Sequence, residues 1–323
     1  MCSRLGFRSE GSPIVISASI PSPSQGVWYI GPLPLRAYGL IIVIGMFIAV
    51  YWTAKRYAKR GGDPELMYDV ALWAIPIGLI GARLYHVITS PEAYFGPNGD
   101  PARIIRIWEG GLGIWGGVAL GALGAWIVVK RSGKRLGPLA DSLAPALLVA
   151  QAIGRWGNWF NQELFGGPTT LPWGLQIDDA HLPDGFASGT LFHPTFLYEC
   201  LWNLTMAAII VWCDRRFRFA SGQVFALYLI AYPLGRSWIE MMRIDTAHTF
   251  FGVRLNVWTS LAILALGLVV YFVAGKLGRS TILQGDERFV PVETDENASK
   301  IAEHGNDHLE IESLNKSSEA QSR

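Results

Sequence analysis

Seven stretches of the chain carry enough consecutive apolar residues to cross a membrane. A spanning helix needs about 20 such residues, because each residue rises about 1.5 Å and the hydrocarbon core is about 30 Å thick. The pattern predicts seven membrane helices, at about 37–54, 66–88, 111–129, 139–158, 195–213, 222–241 and 256–275. The segment 159–193 is too polar and too rich in Pro and Gly to span. We therefore expect an all-α integral membrane protein.

Lys and Arg collect after every second predicted helix. The four clusters are KRYAKRGG (55–62), KRSGKR (130–135), DRRFR (214–218) and KLGR (276–279). If the helices alternate in direction, all four clusters lie on one side, and cytoplasmic loops carry such an excess. We therefore expect the N-terminus outside and the C-terminus in the cytoplasm. The basic residues that break the pattern are Arg103, Arg106 and Arg254.

Composition adds domain boundaries to this topology. The chain has 323 residues, 50% hydrophobic and 16% charged, where a soluble protein has about 25% charged. Its net charge of +1 hides a tail, from Gln284 onward, with ten acidic and four basic residues and no apolar periodicity. Such a segment is expected to be disordered. The prediction is a flexible outer lead-in at 1–35, a seven-helix domain at 36–279 and a disordered acidic cytoplasmic tail at 280–323.

The fourth predicted helix ends in an unusually polar stretch, AIGRWGNWFNQELFGGP (152–168). Ionisable groups in membrane helices are costly and mark candidate functional sites. At 100° per residue, one face carries Gln151, Arg155, Asn158 and Gln162, with Gly154 and Gly157 beside it. Two interpretations stand. The face forms hydrogen bonds that only hold helices together, or it contacts a polar ligand.

The sixth predicted helix repeats this arrangement, with Tyr232, Arg236 and Glu240 spaced four residues apart and Arg243 one turn further on. For Glu240 a structural ion pair with arginine is the leading interpretation. Arg155 and Arg236 come from different helices and are expected to converge near the outer leaflet. Such a pair would bind an anion, and lipid phosphate is the commonest anion at that depth.

Three further features lie at or near the ends of predicted helices. Tyr38 begins the first helix, and His193 opens HPTFLYE (193–199) before the fifth; each is either an aromatic or polar residue of the membrane interface or part of a site. The third helix is rich in glycine, which close helix packing explains. A groove for acyl chains is a second, compatible use of those glycines.

The polar stretch resembles a known signature. GRWGNWFNQELFG (154–166) is similar to G-R-x-G-N-F-x-N-x-E-x-x-G of the bacterial prolipoprotein diacylglyceryl transferase family, and it differs at Trp159. The segments RAYGL, GARLYHV, WEGGLGIWGG, HPTFLYE and YPLGR extend the resemblance over most of 36–275. The family moves the diacylglyceryl group of phosphatidylglycerol to the lipobox cysteine thiol of a prolipoprotein, which forms a thioether and releases glycerol phosphate.

The resemblance implies an enzyme of the cell membrane with its active site toward the outer leaflet and no cofactor or metal. Its partners would be phosphatidylglycerol, prolipoprotein signal peptides with a lipobox cysteine and membrane lipids, but no nucleic acid. The residues assigned to catalysis are Arg155, Arg236, Tyr38 and Glu163. The residues assigned to substrate binding are Arg155, Asn158, Gly166, Tyr232, Glu240, Arg243 and His193. Where much of the family has a histidine in the third helix, this chain has Trp115.

The sequence offers no nucleophile–base pair, G-x-S-x-G motif or metal-ligand spacing. This favours direct displacement, in which the peptide thiol attacks the glycerol carbon. The thiol proton could pass to Glu163, Glu240 or Tyr38, and the sequence leaves these open. Two rival classes are a secondary transporter, which usually shows two halves of similar hydropathy, and a non-enzymatic lipid-binding scaffold, which would tolerate Arg155→Lys.

Overall fold

The computed structural model describes residues 19–31, 33–97, 99–284 and 288–291. Within these ranges every predicted membrane segment coincides with, or overlaps, one long helix. The helices are α1 (Ala37–Ala58), α2 (Glu65–Thr89), the short α3 (Glu92–Phe95), α4 (Ile114–Arg131), α5 (Leu136–Asn161), α6 (Thr195–Arg216), α7 (Gln223–Met242) and α8 (Leu255–Leu277). Apolar runs bounded by Pro, Gly or charged residues therefore located the helices correctly, to within a few residues at each end.

Six of these helices are long and apolar enough to cross a membrane: α1, α2, α4, α5, α6 and α8. Helix α7 is not among the six because Pro233, Arg236 and Glu240 interrupt its apolar run. The helices also expose large apolar side chains, such as Phe47 on α1 and Phe272 on α8. A water-soluble protein does not display apolar surface on this scale. The chain is therefore a multi-pass membrane protein.

The strands are short and form antiparallel pairs. They are β1 (Val27–Ile30) with β2 (Leu33–Arg36), β3 (Leu175–Gln176) with β4 (Leu191–Phe192), β5 (Thr249–Phe250) with β6 (Val253–Arg254), and β7 (Arg279–Gln284) with β8 (Arg288–Pro291).

The predicted lead-in and tail are described only in part. Residues 1–18 lie outside the described ranges. From residue 19 onward the lead-in makes defined contacts. Ile20 lies opposite Leu175, its N–H donates to the carbonyl oxygen of Gly174 at 2.9 Å, and its own carbonyl oxygen accepts from the Gln176 N–H at 2.8 Å. Strands β1 and β2 then lead directly into α1. In the predicted tail only β7 and β8 are described, and the disorder of the remainder stays a prediction.

The chain divides into two compact units. One contains Met1–Gly45, Ala150–Leu204 and Leu234–Leu261, and the other contains Met46–Val149, Thr205–Pro233 and Ala262–Arg323. The first unit has a small apolar core made by Phe165, Leu175, Ile177, Phe192 and Phe196. That core gives the non-spanning segment 159–193 its fold, and it lies beside the polar site described below.

In the second unit α2 and α4 approach each other through glycine. A Cβ added to Gly81 would lie 2.4 Å from the carbonyl oxygen of Gly116, and one added to Gly116 would lie 2.1 Å from that of Gly81. No larger residue fits at either position without moving the backbone. Close packing thus accounts for the glycines at this crossing.

Candidate active site

The first unit contains a cluster of arginines and carboxylates that we call the arginine–carboxylate network. Its members are Arg155 of α5, Glu199 of α6, Arg236 and Glu240 of α7, Arg243 and Asp245 after α7, and Arg254 of β6. Four guanidinium groups thus face three carboxylates. An excess of positive charge suits an anionic ligand.

Glu199 brings together the two arginines that the sequence predicted to converge. Its Oε2 lies 2.6 Å from Arg155 Nε, and its Oε1 accepts a hydrogen bond from Arg236 Nη1 at 3.0 Å. The Glu199 side chain is only 6% exposed, whereas Arg155 and Arg236 remain 18% and 16% exposed. The carboxylate therefore fixes both guanidinium groups and leaves part of each accessible.

Sequence reasoning missed Glu199, although HPTFLYE was noted as a motif. A usable signal was present, because a glutamate early in a membrane helix needs a cationic partner and other predicted helices carry arginines. Arg254 had been noted only as an exception to the charge pattern, and Asp245 was not singled out.

Glu240 is the most enclosed carboxylate of the network, with no exposed surface. One oxygen pairs with Arg236 Nη2 at 2.7 Å and accepts from Arg243 Nη1 at 3.1 Å. The other accepts from Arg254 Nε at 2.9 Å and Asn256 Nδ2 at 3.0 Å. With four donors on its two oxygens, Glu240 has the geometry of a structural ion pair.

Asp245 closes the network outside the membrane helices. Arg243 donates two hydrogen bonds to its carboxylate, from Nε at 2.8 Å and from Nη2 at 2.9 Å. Arg254 Nη2 donates a third at 2.9 Å. Burial on its own would raise the pKa of Asp245, but the hydrogen bonds and charges of these two arginines outweigh it and hold the pKa below its ordinary value.

The signature residues extend the network through amide groups. Arg155 Nη1 donates to Asn158 Oδ1 at 3.3 Å, and Asn158 Nδ2 donates to Glu163 Oε1 at 2.9 Å. Asn161 Nδ2 also donates to Glu163, at 3.1 Å. Unlike Glu240, Glu163 is exposed. The signature thus connects a half-buried arginine to an accessible carboxylate.

The predicted helical face is wrong at its last member, Gln162. Helix α5 ends at Asn161, and Gln162 has a φ of 51°. Its side chain turns to Asp178, donating to Oδ2 at 2.6 Å and accepting from the backbone N–H at 2.8 Å. These two bonds stabilise a left-handed conformation that non-glycine residues seldom adopt.

Gly166 lies where two strand-like segments meet. Its N–H donates to the carbonyl oxygen of His193 at 2.9 Å, and Gly166 also pairs with Arg243. A Cβ at Gly166 would sit 2.8 Å from the Cβ of His193, so only glycine fits. His193 Nδ1 lies 3.2 Å from the hydroxyl of Tyr198. The structure therefore brings Gly166, His193 and Arg243 together.

The remaining predicted residues take separate positions. The Tyr38 ring covers Gly157, where an added Cβ would lie 2.5 Å from Cδ2, so Tyr38 lies against the signature helix. Tyr232 belongs to the second unit, where it stacks on Tyr228 with ring centroids 5.9 Å apart. Trp115 also belongs to the second unit and is exposed in the first turn of α4.

At the signature's one departure, the indole N–H of Trp159 donates to the carbonyl oxygen of Pro21 at 3.1 Å. A phenylalanine could not form this bond. Trp159 therefore ties the described part of the lead-in to the end of α5.

These features define a multi-pass membrane protein with a cationic, partly accessible site among its helices. The family described as prolipoprotein diacylglyceryl transferase matches residues 25–273, a range that contains the whole network. The chain belongs to this family.

Several relatives are similar over most of their length. The phosphatidylglycerol–prolipoprotein diacylglyceryl transferase 2 of Streptomyces coelicolor is 56% identical over 256 residues, which cover 79% of this chain and 80% of the relative. The phosphatidylglycerol–prolipoprotein diacylglyceryl transferase of Streptomyces griseus is 51% identical over 86% of this chain and 85% of its own. The phosphatidylglycerol–prolipoprotein diacylglyceryl transferase of Rhodococcus jostii is 50% identical over 82% of this chain and 77% of its own.

Proposed function

We propose that this transferase moves the diacylglyceryl group of phosphatidylglycerol to the lipobox cysteine of a prolipoprotein signal peptide. Family membership and the names of the relatives support the reaction and its two substrates. The observation that carries the assignment to particular residues is Glu199, whose two oxygens hold Arg155 and Arg236 together. Two adjacent guanidinium groups, each partly accessible, suit the phosphate of a lipid head group.

We also propose seven spans, with the N-terminus outside, the C-terminus in the cytoplasm and the site toward the outer leaflet. Seven long helices among the described residues and four basic clusters after alternate helices support this orientation. A cysteine introduced in 170–190 should react with an impermeant thiol reagent in intact cells, and one in 58–62 should not. The opposite labelling would reverse the topology.

The catalytic domain would then be 36–279, and its residues would divide by task. Arg155 and Arg236 would bind the departing phosphate. Glu240 and Arg243 would support substrate binding indirectly, because Glu240 orients Arg236 and Arg243 holds Glu240. Asn158 would keep Arg155 aligned with Glu163.

Three other assignments rest mainly on position. Gly166 and His193 lie at the edge of the network and would contact the head group or the peptide. Tyr232 enters the substrate-binding set from its place in the family motif, and its stacking on Tyr228 is a packing contact.

In the proposed reaction the cysteine sulfur attacks the terminal glycerol carbon of the diacylglyceryl group. A C–S bond forms, the bond from that carbon to the phosphate oxygen breaks, and the electron pair leaves with glycerol phosphate. Preorganised cations that stabilise the leaving charge are the main contribution an enzyme can make to such a step. Arg155 and Arg236 provide them.

The thiol must also lose its proton, because the thiolate is the nucleophile. Glu163 suits this role better than Glu240, since Glu163 is exposed whereas Glu240 is buried with four donors. Tyr38 is accessible but covers Gly157. Trp115 cannot accept a proton, so we propose no histidine step at that position.

The decisive experiment combines the purified protein, phosphatidylglycerol vesicles and a lipobox peptide. We expect a lipidated thioether peptide and an equal amount of glycerol phosphate, and no product from a peptide whose cysteine is replaced by serine. Peptide or lipid binding without product would favour the scaffold alternative, and movement of lipid between leaflets without product would favour a transporter.

A further inference from the structure

The hairpin between α7 and α8 has an unusual tip. Phe250 pairs with Val253, so Phe251 and Gly252 form a two-residue loop, with φ values of 49° and 73°. Loops with both φ values positive favour Asn-Gly, because a bulky side chain clashes with the backbone in this conformation. Phe251 is therefore held in a left-handed backbone conformation that is sterically unfavourable for a phenylalanine.

The tip nevertheless displays its aromatic rings. Phe251 is 83% exposed and Phe250 is 58% exposed, and the two rings meet edge to face with centroids 4.5 Å apart. Neither ring joins the apolar core of its unit. The contact with Phe250 leaves most of the Phe251 ring exposed, and strain at a position with so little burial points to a contact outside the chain.

The base of the hairpin is fixed at the beginning of a membrane helix. Arg254 directly precedes Leu255, the first residue of α8, and the Leu255 N–H donates to the carbonyl oxygen of His248 at 2.8 Å. The Trp258 indole, in the first turn of α8, donates to the carbonyl oxygen of Phe250 at 3.0 Å. With a mean hydropathy of 2.3, α8 is the most apolar of the six candidate spans. From Phe251 to Leu255 the chain advances four residues, at most about 14 Å, so the tip stays close to the end of this membrane helix.

We propose that Phe250 and Phe251 insert into the bilayer at the interface where α8 begins. Lipid is the partner that this position supplies, and Phe is among the side chains that interfacial segments bury at the boundary between head groups and acyl chains. The same hairpin carries Arg254, which bonds Glu240 and Asp245 at its base. Insertion of the tip therefore positions one corner of the arginine–carboxylate network, a consequence that rests on the proposed function.

Insertion is tested without reference to activity. A nitroxide is attached to Phe251→Cys, and for comparison to His181→Cys in an exposed polar turn, in full-length protein whose Cys2, Cys200 and Cys213 are replaced by alanine. In phosphatidylglycerol–phosphatidylcholine vesicles, we expect the label at 251 to collide with oxygen more than with a water-soluble nickel chelate, and the label at 181 to show the reverse. Equal access of the chelate to both labels would overturn the proposal.

The coupling to the site is tested with Phe251→Asn and Phe251→Trp. Asn suits the turn, so this variant should unfold in detergent at the same temperature as the wild type or higher. Without its aromatic anchor, its kcat/KM on vesicles should fall about tenfold, while Trp preserves it. Wild-type activity in Phe251→Asn would refute the coupling and leave insertion standing, and equal losses in both variants would refute the role of the aromatic ring. Failure of the proposed function itself would appear as an inactive wild type.

Discussion

Two arginine sites in this protein hold their guanidinium groups in different ways. Arg83, on α2, is 6% exposed. It donates five hydrogen bonds of 2.6–2.9 Å, whose acceptors are the Tyr94 hydroxyl and the carbonyl oxygens of Arg103, Arg106, Gly110 and Gly111. Among the residues that the structure describes, no carboxylate pairs with it. Arg155 and Arg236 instead share the carboxylate of Glu199 and keep part of their surface accessible.

The difference separates a structural arginine from one that is available to a ligand. The two terminal nitrogens of Arg83 donate to four backbone carbonyl oxygens and to the Tyr94 hydroxyl, which ties the segment 103–111 to α2. Nε is buried and, among the described residues, has no hydrogen-bond acceptor, so little of the group can reach another molecule. The carboxylates around Arg155 and Arg236 orient the guanidinium groups but leave the network with an excess of positive charge. A buried charge in a membrane protein is therefore a functional candidate only when its acceptors and exposure leave room for a ligand.

The largest expected effect comes from removing one of the accessible arginines. Arg155→Ala or Arg236→Ala should lower kcat about 10²–10³-fold, because each deletes a donor to the leaving phosphate. Lys should restore activity only in part, since an ammonium group cannot bind the phosphate bidentately. Turnover is measured on protein shown to be monodisperse and membrane-inserted. Near wild-type turnover in both alanine variants would remove them from the site.

A smaller loss is expected from Glu199→Gln, which keeps the shape of the side chain but removes its charge. Arg155 and Arg236 would stay present but lose their common partner, so kcat should fall by about tenfold or more, less than after deletion of either arginine. Glu92→Gln, at an exposed position on α3, is the matched control and should behave like the wild type. If both variants are equally active, Glu199 does not position the arginines.

Sequence periodicity was sufficient for the helices because apolar run length is a local property. It also singled out Arg155 and Arg236, since a charge inside an apolar run is conspicuous in a single sequence. It could not find the partnership with Glu199, because pairing between distant segments depends on how the helices pack. It also misplaced Gln162, because the end of α5 is decided by hydrogen bonds to Asp178 that lie 16 residues away along the chain.

A substitution of Arg83 should affect stability and not turnover, in contrast to substitutions of Arg155 and Arg236. Arg83→Lys keeps the charge but cannot reach the same set of acceptors, so partly buried carbonyl groups would lose their donors. We expect a loss of about 2 kcal/mol in stability, seen as a lower unfolding temperature. The kcat per folded molecule should stay close to the wild-type value. A fall in kcat comparable to that of Arg236→Lys would show that Arg83 also serves the reaction.

The smallest effect should come from Asp245 and should depend on pH. Its folded-state pKa lies below the ordinary value of 3.8, so its ion pairs stabilise the protein fully at neutral pH. That contribution is lost as the pH falls below about 4 and through the folded-state pKa, because the protonated group no longer attracts Arg243 and Arg254. Since the side chain is 30% exposed, we expect about 1 kcal/mol or less.

The measurement is the unfolding temperature of the wild type and Asp245→Asn between pH 3 and 7, with Asp184→Asn as an exposed control. Asp245→Asn should be less stable at pH 7, and the difference should shrink toward pH 3. A difference that stays constant over this range would mean that the Asp245 charge contributes nothing. The penalty of Arg83→Lys should not change with pH in the same way, because four of the five acceptors of Arg83 are backbone carbonyl oxygens, which carry no titratable proton. The two arginine sites would then be distinguished by pH alone.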